Sequence, residues 1–244
     1  MPRRVRACLH AVFAPLTALG PLAASAGPLL AQVTMVDEGS FTVTLNRVRI
    51  GREEFSIRSA PGPNATILFV AQASAVYDDQ RLFPALSTLP SGTPVSYQVE
   101  VRRGTDVEQR WSGSFGAGRV SARITTPRRD AVREFLVADG ALLLDEGIYH
   151  QFFFIARRRG PSSLLVIAAR RNRQELLRVV DRGSQTVDIG GQPLAATTFL
   201  ATGPDGVERQ VWVDGEGRVL KVFVAAQGLM ALRDDPPRRG DPPR

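Results

Sequence analysis

The sequence predicts a mainly β protein, a long curved antiparallel meander or half-barrel with one covering helix. Two observations carry this. Turn-forming clusters of Gly, Pro, Asp and Asn recur about every ten residues, and the runs between them alternate apolar and polar with period two. One segment, Asp145 to Arg159, breaks that rhythm with apolar positions at helical spacing.

The chain opens with a positive cluster at Arg3, Arg4 and Arg6, followed by an apolar, small-residue run from Ala7 to Ala24. Ala24-Ser25-Ala26 fits a small-x-small cleavage site, so residues 1–26 read as a secretory signal peptide. Cleavage after Ala31 is the alternative. Pro15 and Pro21 interrupt the run, which argues against a membrane anchor, so no transmembrane anchor is expected after cleavage. Cys8 leaves with the signal peptide, and the mature chain then has no disulfide and no thiol chemistry. The expected location is periplasmic or secreted.

A short lead-in covers 27–38, and a single β half-barrel domain covers 39–232. Ser40 to Ile50 alternates, Gly51 interrupts, and Glu54 to Arg58 resumes. After the Pro61-Gly62-Pro63-Asn64 turn come Ala65 to Tyr77 and Arg81 to Leu86. Pro84 marks the latter as irregular or an edge. Val95, Tyr97, Val99 and Val101 then share one side of a strictly alternating strand. Val107 to Phe115, Val120 to Thr125 and Val132 to Val137 continue the meander.

Asp145 to Arg159 is acidic at its start and basic at its end, the charge order a helix dipole favours, with Asp145 as N-cap. Gly160-Pro161 stops it. A buried strand is the alternative reading of Phe152-Phe153-Phe154. Strands resume at Ser163 to Ala169, Gln174 to Asp181, Gln185 to Ile189 and Leu194 to Ala201. Val207 to Val224 is a hairpin around Asp214-Gly215-Glu216-Gly217. A two-residue loop at Gly215-Glu216 puts Val211 opposite Leu220. It gathers Val207, Val211, Val213, Leu220, Val222 and Val224 on one face, with Trp212, Val219 and Phe223 on the other. A three-residue loop with Gly217 in the left-handed region also fits the turn chemistry, but it scatters the valines. Register follows burial of one face, which favours the shorter loop. Residues 233–244 read as a disordered Pro/Arg-rich tail.

Composition narrows function. The net charge is +7, but Lys221 is the only lysine and the arginines are interleaved with acids, so no nucleic-acid partner is expected. His150 is the only histidine after the signal peptide, which leaves no His or Cys metal site and no cofactor. A lone histidine among aromatic residues reads as a packed or hydrogen-bonded one. Glu53-Glu54 sends one carboxylate outward and one toward the sheet. Nothing brings two of Glu53, Glu54, Asp145, Glu146 and Asp214 together for acid-base work, and no G-x-S-x-G elbow exists. The chain is therefore expected not to be an enzyme.

An aromatic surplus remains. Tyr149, Phe152, Phe153, Trp212 and Phe223 either fill the core or line an apolar pocket between sheet and helix, and the pocket reading makes them the candidate ligand-binding residues. The aromatic segment Asp145 to Arg157, with the V-W-V-D-x-x-G-R-V-L-K-V hairpin from Val211 to Val222, resembles the LolA/LolB-like, lipoprotein-carrier-like half-barrel superfamily over roughly residues 39 to 226. The resemblance implies a curved sheet wrapped around a helix and an apolar concavity able to hold an acyl chain. It carries no carrier-binding residue onto this chain. A lipid or other apolar ligand is one expected partner. A structural or interaction role with an envelope protein, and no small-molecule ligand, is the alternative.

Overall fold

The computed structural model describes residues 33–238 apart from 159, 161 and 162. Residues 1–26, read as a signal peptide, lie outside the described residues, as do 239–244 of the expected tail.

Fifteen strands form one sheet among the described residues. The N-terminal meander comprises β1 (Thr34–Leu45), β2 (Val48–Pro61), β3 (Ile67–Tyr77), β4 (Gln80–Thr88), β5 (Pro94–Arg103), β6 (Asp106–Gly116), β7 (Arg119–Thr126) and β8 (Arg129–Leu136). A two-residue β9 (Leu142–Leu143) and the helix α1 (Phe152–Arg157) follow. The C-terminal meander comprises β10 (Ser163–Ala168), β11 (Arg173–Ile189), β12 (Gln192–Thr202), β13 (Glu208–Val213), β14 (Val219–Val224) and β15 (Leu229–Arg233).

The two meanders meet where β1 pairs with β15, from Phe41 opposite Arg233 to Leu45 opposite Leu229. Sheet order therefore runs β8 to β1, then β15 back to β9. The expected open, curved, mainly antiparallel sheet with a single helix is what forms. Among the described residues, only β9 and β10 pair in parallel.

Alternation decides which side chains face inward. Phe41 and Val43, Phe55 and Ile57, Tyr97 and Val99, and Trp111 all bury on the concave face around α1. The helix lies inside the curve of the sheet, and Phe152, Phe153, Phe154, Ile155 and Ala156 are all buried. A helix buried on every side has no polar face, which is why its sequence also resembles a core strand.

The end of β8 is tied to the C-terminal meander without a ladder. The side-chain amide of Gln174, at the start of β11, accepts a hydrogen bond from Ala138 N–H (2.9 Å) and donates to the Leu136 carbonyl (2.8 Å). One glutamine thus pairs with the end of β8 as a peptide group would.

Several expectations need correction. The domain starts earlier than residue 39, because β1 begins at Thr34 and Asp37 is buried. It also ends later than 232. Arg233 is the buried last residue of β15, and the Asp234 N–H still bonds the Ser40 carbonyl (2.9 Å). No strand was expected at Leu229–Arg233. Pro84 lies in an interior strand, paired to Val99 of β5, and the β3–β4 ladder lapses opposite Phe83-Pro84, where proline has no N–H to give. The two strands expected on either side of Arg182-Gly183 are one, β11, with a bulge between Asp181 and Ser184.

The terminal hairpin takes the three-residue loop. Asp214 N–H bonds the Arg218 carbonyl (3.0 Å), Gly217 N–H bonds the Asp214 carbonyl (3.0 Å), and Gly217 has φ +81°. A further register shift follows, with Val213 opposite Val219 but Trp212 opposite Lys221. That bulge gathers Val211, Val213, Val219 and Val222 in the main core, so the valines are not scattered after all. It also exchanges two expected positions. Val219 turns inward, and Leu220 joins Trp212 on the outer face.

Candidate functional site

The segment from Asp145 to Gln151 approaches α1 through the interior and is held by side chains from distant strands. Glu53 lies on the inward row of β2, beside Phe55, and is fully buried. Its carboxylate accepts hydrogen bonds from the backbone N–H groups of Tyr149 (2.7 Å) and His150 (3.1 Å). The Nδ1 atom of His150 lies 2.5 Å from Glu53 Oε1, and the imidazole stacks on Phe55 with ring centroids 5.7 Å apart. A buried carboxylate is tolerated only when its lone pairs are taken up in this way.

Asp145 is not the N-cap of α1. Gln151 holds that position, and no side chain caps the helix. Asp145 instead accepts from Tyr97 Oη (3.0 Å) and Arg170 Nε (2.9 Å), and the Gln151 amide oxygen accepts from its N–H (2.7 Å). Tyr77 Oη donates to the Gly147 carbonyl (2.6 Å). At the far end, the Arg157 guanidinium lies over Phe69 (5.4 Å) and Phe153 (5.2 Å).

Below this segment a cavity of about 380 Å³ lies between the two meanders. Its walls include Leu82, Val166, Leu177, Val222 and Leu229 from five strands, with Tyr149 and Phe152 overhead. Burial pushes the Tyr77 and Tyr149 hydroxyls above their ordinary range, and the Glu53 charge adds to the shift. Both therefore stay protonated at physiological pH, and Tyr77 donates as a neutral hydroxyl to the Gly147 carbonyl.

The charged groups lining the cavity are nearly all spoken for. Arg170 pairs with Asp145 (2.9 Å), Arg171 with Glu146 (2.5 Å), and Glu175 with Arg173 (2.5 Å). Arg209, on β13, donates to the Val207 carbonyl (3.0 Å) and forms a looser ion pair with Asp205, at 3.7 Å.

Of the five candidate ligand residues, the structure brings Tyr149 and Phe152 to the cavity. Phe153 packs against Phe69 and Phe154, at centroid distances of 6.2 and 5.3 Å, and does not line it. Trp212 and Phe223 lie on the outer face of the hairpin. Trp212 packs with Val187, Ile189 and Leu220 and donates Nε1–H to Gln185 (2.8 Å). Lys221 Nζ sits 4.5 Å from the Trp212 ring centroid and 5.9 Å from that of Phe223. The valine face, not the aromatic one, meets the helix side.

The residues that shape the site and were not foreseen are Glu53 as an anchor, with Tyr77, Arg170 and Arg209. One signal for Glu53 was available: it shares the two-residue period of Phe55 and Ile57. Asp214 remains a turn residue, accepting from the Glu216 and Arg218 N–H groups (both 2.9 Å). Among the described residues, no group of three or more His, Cys, Asp or Glu is placed to hold a metal, and no helix is long and apolar enough to cross a membrane.

The fold defines a class first: an open, curved, barrel-like antiparallel sheet around an internal helix. Among solved structures, the chain is similar to a β-barrel-like protein of the domain of unknown function DUF1849 from Brucella abortus. The TM-score is 0.53 at 9% identity, over 84% of this chain and 98% of that one. At that identity the similarity speaks for the barrel-like fold alone. No known family model matches the chain, and no curated protein matches it.

Proposed function

We propose that this protein is an exported, non-enzymatic protein of the cell envelope that holds a lipid or similar apolar ligand between its curved sheet and internal helix. The observation that carries this reading is the cavity of about 380 Å³, a size ordinary for small-molecule sites, with aliphatic walls beneath Tyr149 and Phe152. The resemblance to the lipoprotein-carrier-like half-barrel supports the same reading, as does the signal-peptide pattern of residues 1–26. His150 is sequestered against Glu53 and Phe55, an arrangement that suits anchoring better than catalysis. Native mass spectrometry of protein purified gently from the periplasm tests the proposal. A co-purifying lipid mass supports it, and a clean apo mass together with no binding of a fluorescent fatty acid refutes it.

A second reading, an envelope interaction module, rests on β8. It is an outermost strand of the sheet, and Val132 and Leu136 project from it, 70% and 67% exposed. Crosslinking in cells that recovers only the monomer would count against it.

A further inference from the structure

We infer that the cavity takes an amphiphile with an anionic head, and that Arg209 is the residue that receives that head. The inference rests on the apolar-ligand reading proposed above and adds the chemistry of the polar end.

The carboxylates lining the cavity are Asp145, Glu146 and Glu175, and each is within 3 Å of an arginine other than Arg209. The lining arginines Arg170 and Arg171 are neutralised in the process. Arg209 is the lining arginine with the loosest ion pair: Asp205 lies 3.7 Å away, beyond hydrogen-bond distance, against 2.9 and 2.5 Å for Arg170 and Arg171. A guanidinium offers five N–H donors. Here Nη1 uses one on the Val207 carbonyl, and Nη2 faces Asp205 at 3.7 Å. Nε and Nη2 are left with donors to give.

Position strengthens the case. Arg209 shares the two-residue period of Val211 and Val213, the inward row of β13. The neighbouring β14 supplies Val222 and Val224 to the cavity wall. The Arg209 side chain is only 26% exposed. A partly desolvated arginine beside aliphatic walls matches a carboxylate or phosphate at the end of a hydrocarbon chain, because its planar fork binds such groups with paired N–H donors. A cationic head would meet the same arginine as a like charge.

The experiment uses the full mature chain and two probes of equal chain length, dodecanoate kept below its micelle concentration and dodecanol below its solubility limit. The wild type is expected to bind dodecanoate about tenfold more tightly than dodecanol, the scale of one charge-assisted hydrogen-bond pair. Arg209→Gln is expected to remove that preference by weakening dodecanoate about tenfold more than dodecanol, with the circular dichroism spectrum unchanged. Arg209→Lys should keep part of the preference. A wild type that binds both probes equally, or an Arg209→Gln protein that keeps the preference, overturns the anionic subsite and leaves the apolar reading intact. A folded wild type that binds neither probe overturns both.

Discussion

Glu53 Oε1 and His150 Nδ1 lie 2.5 Å apart in a fully buried pair that joins β2 to the segment leading into α1. Because the same carboxylate also takes the Tyr149 and His150 N–H groups, it is the point at which the ceiling of the cavity is fixed to the sheet. Glu53→Ala strips three buried donors of their acceptor. Each buried donor left without its acceptor costs about 1–3 kcal/mol. Urea unfolding should show a loss of that order, with faster hydrogen exchange at the Tyr149 and His150 amides. Glu53→Gln, which keeps one acceptor oxygen, should lose less. An alanine variant as stable as the wild type would remove the anchor from this description.

The joint between the two meanders has its own buried pair. Arg233 donates from Nη2 to Asp37 Oδ1 (2.8 Å) and from Nη1 to Asp37 Oδ2 (3.1 Å), with its guanidinium 5.4 Å from the Phe55 ring. Burial raises the Asp37 carboxyl above its ordinary 3.8, and the lowering effect of Arg233 does not fully offset it. The folded state thus holds this proton more tightly than the unfolded chain does. Asp37 therefore makes stability fall as pH rises from about 3.8 through the raised folded value, and Asp37→Asn should abolish that slope in urea melts across the acid range. Arg233→Met leaves an unpaired buried carboxylate and should destabilise by about 3–5 kcal/mol at pH 7.

The turn at the end of the chain separates two registers. Gly217 has φ +81°, whereas Gly215 does not lie in the left-handed region. A Cβ on either meets no close backbone, so only conformation distinguishes them. Gly217→Ala should cost about 1 kcal/mol or more and Gly215→Ala very little. A two-residue loop with Gly215 at its first central position predicts the reverse order, and thermal melts of the two variants decide.

Gln174→Ala removes the amide that ties Leu136 and Ala138, at the end of β8, to β11. About 1 kcal/mol per lost hydrogen bond is expected. The selective signature is faster exchange of the Ala138 amide while that of Val99, deep in the N-terminal meander, is unchanged. Unaltered exchange at Ala138 would show that other contacts hold the end of β8.

What the sequence made legible follows from local physics. Val95, Tyr97, Val99 and Val101 alternate because one side of β5 packs on the core, and turn residues punctuate the meander at nearly every reversal. What it hid depended on distant partners. Asp145 looked like a helix cap because it precedes an apolar run, but Tyr97 and Arg170, brought in by the sheet, claim its carboxylate. Trp212 and Phe223 were placed opposite the valines, as they are, but that face was taken to be the one toward the helix or ligand, whereas the valine row packs in the main core. Tyr149 and Phe152 line the cavity, and Glu53 was visible only as an acid on an inward row.

The central claim is that the cavity beneath Tyr149 and Phe152 holds an apolar chain. Ala168 lines it with a methyl group alone, so Ala168→Phe fills space without displacing a larger side chain. The direct measurement is a fluorescence titration of wild type and Ala168→Phe with a dansyl-labelled undecanoic acid, each protein first shown to be folded by circular dichroism. Saturable binding by the wild type, weakened at least about tenfold in Ala168→Phe, is the predicted result. Binding of equal strength in both proteins, or none in the folded wild type, would contradict it.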